Sequence, residues 1–384
     1  MCGEPDSDTG PSRDVAMHSR LGLHLTVAQG LRRPGLAARA LAVAALALLA
    51  ACGRPPVDTV QVGFRGTGMA QVYDPRALEA QASAHAVPEI SPPARARPGG
   101  PTAGSVYQNV QVLGDLSLGE FGRTMDAVTL WVSPKESCTY CHVEGNFADD
   151  SKYTKVVARR MIQMTRYLNG DWSAHVGETG VTCWTCHRGN ALPVQRWFRT
   201  PPQPERPNGL GDRAEQNAPG ASVALASLPS DPFTPYLLER DASAPIRVQG
   251  QTALPTGNRQ SIKQAEFSYG LMMHMSSALG VNCTFCHNTR AFSSWPESSP
   301  ARATAWHGIR MVRDLNSTYL EPLGSVFPEV PLGRLGPLKD SAKVNCATCH
   351  QGAYKPLYGA RMAGNYPALT GRPAVDPDGL ATTR

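Results

Sequence analysis

Nowhere in the 384 residues does an uninterrupted apolar run approach the ~18 residues a bilayer-spanning helix needs, so no membrane-spanning segment is expected. Basic charge is not clustered either. The 37 Lys and Arg stand against 31 Asp and Glu, and without a basic stripe the chain is a poor candidate for binding nucleic acid. Charged residues make up only 18% against 41% hydrophobic, a globular rather than a disordered balance. Spare cysteine is also scarce: eight of the ten fall into four copies of Cys-x-x-Cys-His, leaving only Cys2 and Cys52. An exported chain of this kind has no thiols left for disulfides. Gly and Pro, at 36 and 33 residues, are plentiful and predict long loops with modest secondary structure.

The compartment is written near the N-terminus. Arg32, Arg33 and Arg39 precede the apolar run Ala40 to Ala51, which is too short to span a bilayer and fits the core of a signal peptide. Leu49-Ala50-Ala51-Cys52 resembles a bacterial lipobox, in which cleavage before the cysteine leaves its thiol to carry lipid. Residues 1–51 are therefore expected to be a leader, starting at Met1 or Met17, and Cys52 the lipid-bearing mature N-terminus. Stable anchoring takes two or more acyl chains.

The four motifs are Cys138-Thr-Tyr-Cys141-His142, Cys183-Trp-Thr-Cys186-His187, Cys283-Thr-Phe-Cys286-His287 and Cys346-Ala-Thr-Cys349-His350. Their spacing suits c-type haem: two thiols add to the porphyrin vinyl groups and the adjacent imidazole supplies one axial nitrogen. Tetrahedral zinc sites and redox dithiols do not require a His directly after the second Cys, four times over.

A helix is expected before each motif: Ser117 to Trp131; Asp150 to Asn169, with Asp150 as N-cap and Gly170 as the stop; Gln264 to Leu279, stopped by Gly280; and Pro300 to Asn316, capped by Ser299. Two internal repeats pair these units. Glu120-Phe121 and Glu266-Phe267 stand 18 and 17 residues before Cys138 and Cys283. Ile162-Gln-Met164-Thr-Arg166-Tyr-Leu168-Asn169 matches Ile309-Arg-Met311-Val-Arg313-Asp-Leu315-Asn316. The chain reads as a duplicated two-haem module, mainly α with much irregular structure. The second repeat sets Met164 opposite Met311 and Met161 opposite Gly308, which leaves open which methionines are iron ligands and which are packing.

Beyond the motifs, Gly63-Phe-Arg-Gly-Thr-Gly-Met69, Val106-Tyr-Gln-Asn-Val-Gln-Val-Leu-Gly-Asp115 and Val281-Asn-Cys-Thr-Phe-Cys-His-Asn288, with the lipobox cysteine, resemble the tetrahaem cytochrome subunit of purple-bacterial photosynthetic reaction centres. The likeness runs from about Val57 to Gly359. It implies four covalent haems c, three with His and Met ligands and one with two His. The proximal ligands would be His142, His187, His287 and His350. Carried over by spacing, the distal ligands would be Met125, Met161 and Met272, with His175 reaching across to the fourth haem. Met164, Met275 and His307 are their respective rivals for the last three places. The resemblance agrees with Gly308 standing where a fourth Met would be. His85 and His274 receive no role, and His85, in a polar Ala-rich stretch, is expected to be exposed.

The expected organisation is a leader (1–51), an N-terminal extended segment (52–104), module 1 (105–191), a Pro/Gly-rich linker (192–260), module 2 (261–359) and a flexible tail (360–384). The resemblance implies an electron-transfer subunit rather than an enzyme, held by lipid on the periplasmic face of the photosynthetic membrane. It would re-reduce the photo-oxidised special pair in contact with the L and M membrane subunits. Its electrons would come from a soluble cytochrome c2 or a high-potential iron–sulfur protein. Eight propionates would turn a mature charge of about +5 to about −3 in the reduced state, a mildly acidic surface that could steer a basic donor. The rival expectations are a stand-alone multihaem relay and a periplasmic multihaem reductase, the latter needing one haem without a distal ligand.

Overall fold

The chain enters its described part through an antiparallel hairpin, β1 (Asp58–Gln61) and β2 (Ala70–Tyr73), in register from Asp58 opposite Tyr73 to Gln61 opposite Ala70. Asp74 then starts α1 (Pro75–Gln81), its carboxylate accepting from Arg76 N at 2.9 Å. The computed structural model describes residues 57–62, 69–89, 91–92, 99–201, 220–239, 246–248, 261–329 and 333–371. All of them belong to one compact unit that begins at Pro56. The leader, Cys52 and residues 63–68 of the glycine-rich match lie outside the described residues.

Helices and irregular segments make up nearly all the rest. The four expected helices are α2 (Leu118–Val132), α3 (Tyr153–Asp171), α5 (Ile262–Leu279) and α6 (Pro300–Asp314), and two short helices, α4 (Cys183–His187) and α7 (Cys346–His350), carry the second and fourth motifs. Ser117 caps α2 through Glu120 N at 3.3 Å, and Ser261 caps α5 through Gln264 N at 3.2 Å. Gly280 closes α5 in the left-handed conformation at φ 63°. The cap of α3 differs from expectation. Lys152 holds that position, and Asp150 is drawn into ion pairs with Lys155 and Arg159, both at 2.9 Å.

The repeated octapeptides make matching contacts. Asn169 donates to Val181 O (2.9 Å) and Leu369 O (2.7 Å) and accepts from Val181 N (2.7 Å). Asn316 donates to Val344 O (2.9 Å) and Leu237 O (2.8 Å) and accepts from Val344 N (2.9 Å). Val181 and Val344 each stand two residues before a motif cysteine, so each asparagine pins the start of a haem motif to the helix before it. Arg166 and Arg313 hold the adjacent carbonyls of Ala368 (2.7 Å) and Tyr236 (2.9 Å). Beyond the motifs, Gly189 N bonds Trp131 O at 2.9 Å and Gly352 N bonds Ala278 O at 2.7 Å. A Cβ on Gly280 would stand 2.1 Å from Gly352 O, so α5 and the chain leaving α7 meet where glycine is needed.

These contacts correct two expectations about loose segments. The stretch 233–238 of the linker is core, with Phe233, Tyr236, Leu237 and Leu238 all buried beside Leu271, Ile309 and Leu315. The start of the tail is core as well: Met362, Tyr366, Ala368 and Leu369 pack with Trp131 and Ile162. Residues 372–384 lie outside the described residues.

Asn316→Ala would leave the Leu237 carbonyl and the Val344 amide without partners in a fully buried place, Val344 O keeping Trp197 Nε1 at 2.9 Å, a loss of about 2 kcal/mol. The guanidinium midpoint of the holoprotein should fall accordingly, and an unchanged midpoint would mean that Asn316 does not pin the fourth motif.

Candidate haem sites

Each motif folds so that its histidine meets a backbone carbonyl. In α4 and α7, Thr182 and Asn345 form capping boxes with Thr185 and Thr348, and Arg188 and Gln351 then turn the chain at φ 49°. That turn brings Asn190 O to His187 Nδ1 at 2.8 Å and Ala353 O to His350 Nδ1 at 3.0 Å. The first and third motifs begin in single 3₁₀ turns, Ser137–Tyr140 and Cys283–Phe285. Here the acceptor comes five residues after the histidine, Phe147 O at 3.1 Å for His142 and Phe292 O at 2.9 Å for His287. Each phenyl ring also lies against its imidazole, at 4.9 and 5.2 Å between centroids. A carbonyl can only accept, so every Nδ1 carries the proton and every Nε2 keeps a lone pair for a metal.

Burial keeps motif imidazoles in the neutral form that a metal needs and raises several of the motif thiols. Desolvation holds His187 and His287 below the usual imidazole range and takes His350 to about 4, so the rings stay neutral. It pushes the thiols of Cys141 and Cys286 to about 11 and those of Cys183 and Cys346 to about 12. Among the described residues no three His, Cys, Asp or Glu side chains converge, as a protein-only metal site would require.

A cavity of about 660 Å³ brings Met125 together with Cys138, Cys141 and His142, and also reaches Met161, Cys183 and His187. That volume is in the range of cofactor pockets. Met164 packs instead with the core around Leu168 and Met311. Met272 and Met275 are both half-buried on α5. Two residues not anticipated from sequence also line this cavity: Arg334, which donates to Ala191 O at 3.2 Å and to the Tyr140 hydroxyl, and Tyr140 itself.

His175 lies on a single helical turn, Ser173–Val176, and crosses to α6, where its Nδ1 donates to Thr304 O at 2.9 Å. Its ring faces His350 at 6.0 Å between centroids. Two metal–imidazole bonds of about 2 Å, with about 1 Å from each nitrogen to its ring centre, require roughly that separation. The 6.0 Å separation matches that of two imidazoles on one iron. The ring fills the space in front of Gly308, where a Cβ would stand 2.5 Å from His175 Cε1. His307 packs its ring on Trp306 at 4.9 Å.

The two unassigned histidines are both buried, which corrects the expected exposure of His85. His85 stacks on Tyr358 at 4.4 Å and donates from Nε2 to Gln351 O at 3.2 Å, the opposite nitrogen from that used by His175 and the four motif imidazoles. His274 packs edge-on against Phe233 at 4.6 Å with Nε2 enclosed. The carbonyl acceptors could have been suspected from one signal, the His-x-x-x-x-Phe spacing shared by His142/Phe147 and His287/Phe292.

Gly308→Ala is expected to expel His175 from its place opposite His350. A reduced, haem-loaded variant should then bind carbon monoxide at one site where the parent binds none, and an unaltered spectrum would remove His175 from that site.

Comparison with known proteins gives the family. Residues 53–370 match the family model described as photosynthetic reaction centre cytochrome C subunit. The photosynthetic reaction center cytochrome c subunit of Rubrivivax gelatinosus is 56% identical over 336 residues, covering 87% of this chain and 89% of the relative. That of Thermochromatium tepidum is 52% identical over 342 residues (89% and 82%), and that of Roseobacter denitrificans 39% over 347 residues (86% and 90%). With four carbonyl-oriented motif histidines and a match over nearly all of its described length, the chain belongs to the family of photosynthetic reaction centre cytochrome c subunits.

Proposed function

We propose that this chain is a tetrahaem electron wire that re-reduces the photo-oxidised special pair of the reaction centre, drawing electrons from a soluble donor. The observation that supports this reading is the 6.0 Å between the His175 and His350 ring centres, the separation two imidazole ligands of one iron would have, so that the fourth site would keep no open coordination position. With Met125 at the first site, Met161 at the second and Met272 at the third, all four irons are closed to substrate. Haem c bound in such sites takes up and gives back one electron, with Met ligation raising and a second His lowering its potential.

The chain's own residues supply the rest. Cys138, Cys141, Cys183, Cys186, Cys283, Cys286, Cys346 and Cys349 fix each ring edge covalently. The Nδ1 bonds hold the four motif imidazoles and His175 in one tautomer and one orientation. The second and fourth sites are neighbours, since Cys186 Sγ lies 2.8 Å from Cys349 Sγ. The paired contacts of Asn169 with Asn316 and Arg166 with Arg313 support two dihaem modules, 105–191 and 261–359, crossed by His175.

No helix among the described residues is long and apolar enough to cross a membrane. The L and M subunits, and lipid carried on Cys52, would then hold the protein to the periplasmic face. Cytochrome c2 or a high-potential iron–sulfur protein would be the donor.

Flash excitation of reaction centres carrying this subunit should oxidise haem in step with recovery of the special pair, and special-pair recovery without haem oxidation would sink the proposal. Cys52→Ala protein made without its membrane partners should partition to the soluble fraction, whereas firm retention on the membrane would argue against lipid anchoring.

A further inference from the structure

At the first site a buried cation bonds the very carbonyl that accepts from the motif histidine. Lys155, on the first turn of α3, is only 7% exposed, and its ammonium spends its three N–H groups on Phe147 O (2.9 Å), Asp149 O (2.9 Å) and the Asp150 carboxylate (2.9 Å). Phe147 O is also the carbonyl that accepts from His142 Nδ1 at 3.1 Å. One oxygen therefore serves two donors, a ligand imidazole and a positive charge. Arg302, which stands in the second repeat where Lys155 stands in the first, lies near His287 but does not bond its acceptor Phe292 O: its Nη1 donates to Ser294 O and Ser298 Oγ, both at 2.7 Å.

From this sharing we infer that Lys155 is a positioning residue that raises the potential of the first haem by acting on His142 through the Phe147 carbonyl. The inference rests on the reading that Cys138 and Cys141 carry haem. A hydrogen bond from Nδ1–H to a good acceptor pushes electron density into the imidazole and makes it a more basic ligand, which favours ferric iron. A charge-assisted bond to the same oxygen draws density the other way and leaves that oxygen a weaker acceptor for His142. The imidazole becomes less basic, and ferrous iron is favoured. Asp150 shares its charge between Lys155 and Arg159 at 2.9 Å each, so the trio keeps one net positive charge beside the cavity that His142 lines.

The test is an EPR-monitored redox titration of the haem-loaded full-length protein, with haem-peptide masses taken on the same samples. Met125→His, which changes the distal ligand of the first site, identifies that site's midpoint. Lys155→Met should shift the same midpoint downward and leave the other three in place, and Lys155→Arg should restore most of the shift. Asp150→Asn, a change on a partly exposed side chain, should move that midpoint upward by clearly less than Lys155→Met moves it down, because the Lys155 to Phe147 bond survives. The inference is overturned if no midpoint moves in Lys155→Met, if a different one moves, or if Asp150→Asn moves it as far as Lys155→Met, which would mean charge acting at a distance. Absence of haem on the Cys138–Cys141 peptide of the parent protein would instead refute the reading on which the inference rests.

Discussion

A metal-binding imidazole is held in one tautomer and one orientation by committing its other nitrogen, and five times this chain commits Nδ1 to a backbone carbonyl. Burying such a ring without that bond would cost a few kcal/mol of lost hydration. The local backbone follows from the requirement. After His187 and His350 the chain must pass through a left-handed residue to bring a carbonyl back within three positions, and Arg188 and Gln351 accept that conformation although neither is glycine. After His142 and His287 the loop is longer, and a phenylalanine ring packed on the imidazole fixes where its own carbonyl points.

Holding motif and helix in one register falls to buried polar side chains. A core of Leu and Val could fill the same space, but it would not fix the motif to within an ångström of the preceding helix. Asn169 and Asn316 do so because one amide matches both the N–H and the C=O of Val181 or Val344 and still has a proton for a third segment. That third segment is 366–369 in one case and 236–238 in the other. Pieces of linker and tail thus serve as the outer wall of each site.

This division of labour explains what could be read from residues alone. The four motifs, the helices before them and the repeated octapeptide were legible because side-chain identity and spacing carry them. The Nδ1 acceptors were not, since any residue supplies a carbonyl, and only the Phe147 and Phe292 spacing hinted at two of them. Proline density made 233–238 and 360–371 look loose. Their aromatic and leucine content was the better guide, but it finds a core only through distant partners, 77 and 79 residues on for Tyr236 and Leu237 and 202 and 200 residues back for Ala368 and Leu369. His85 misled for the same reason: its neighbours are small and polar, while what buries it, Tyr358 and the backbone at Gln351, comes from the other end of the chain. Nothing in the residues around Lys155 marks it as buried, since the three acceptors that close around it are two backbone carbonyls and one carboxylate.

Gly308 shows how one absent side chain divides the duplicated pattern. Glycine inside α6 costs about 1 kcal/mol of helix stability relative to alanine, and nothing in α6 itself calls for it. The need arises in the other half of the chain, where the His175 ring occupies the volume that any Cβ at 308 would claim. A methionine at 308, matching Met161, and an imidazole at 175 facing His350 therefore exclude one another. Removing a side chain on α6 and placing a histidine 133 positions earlier are two parts of a single structural choice. Under the proposed ligation, that choice puts the low-potential haem where the two halves of the chain meet.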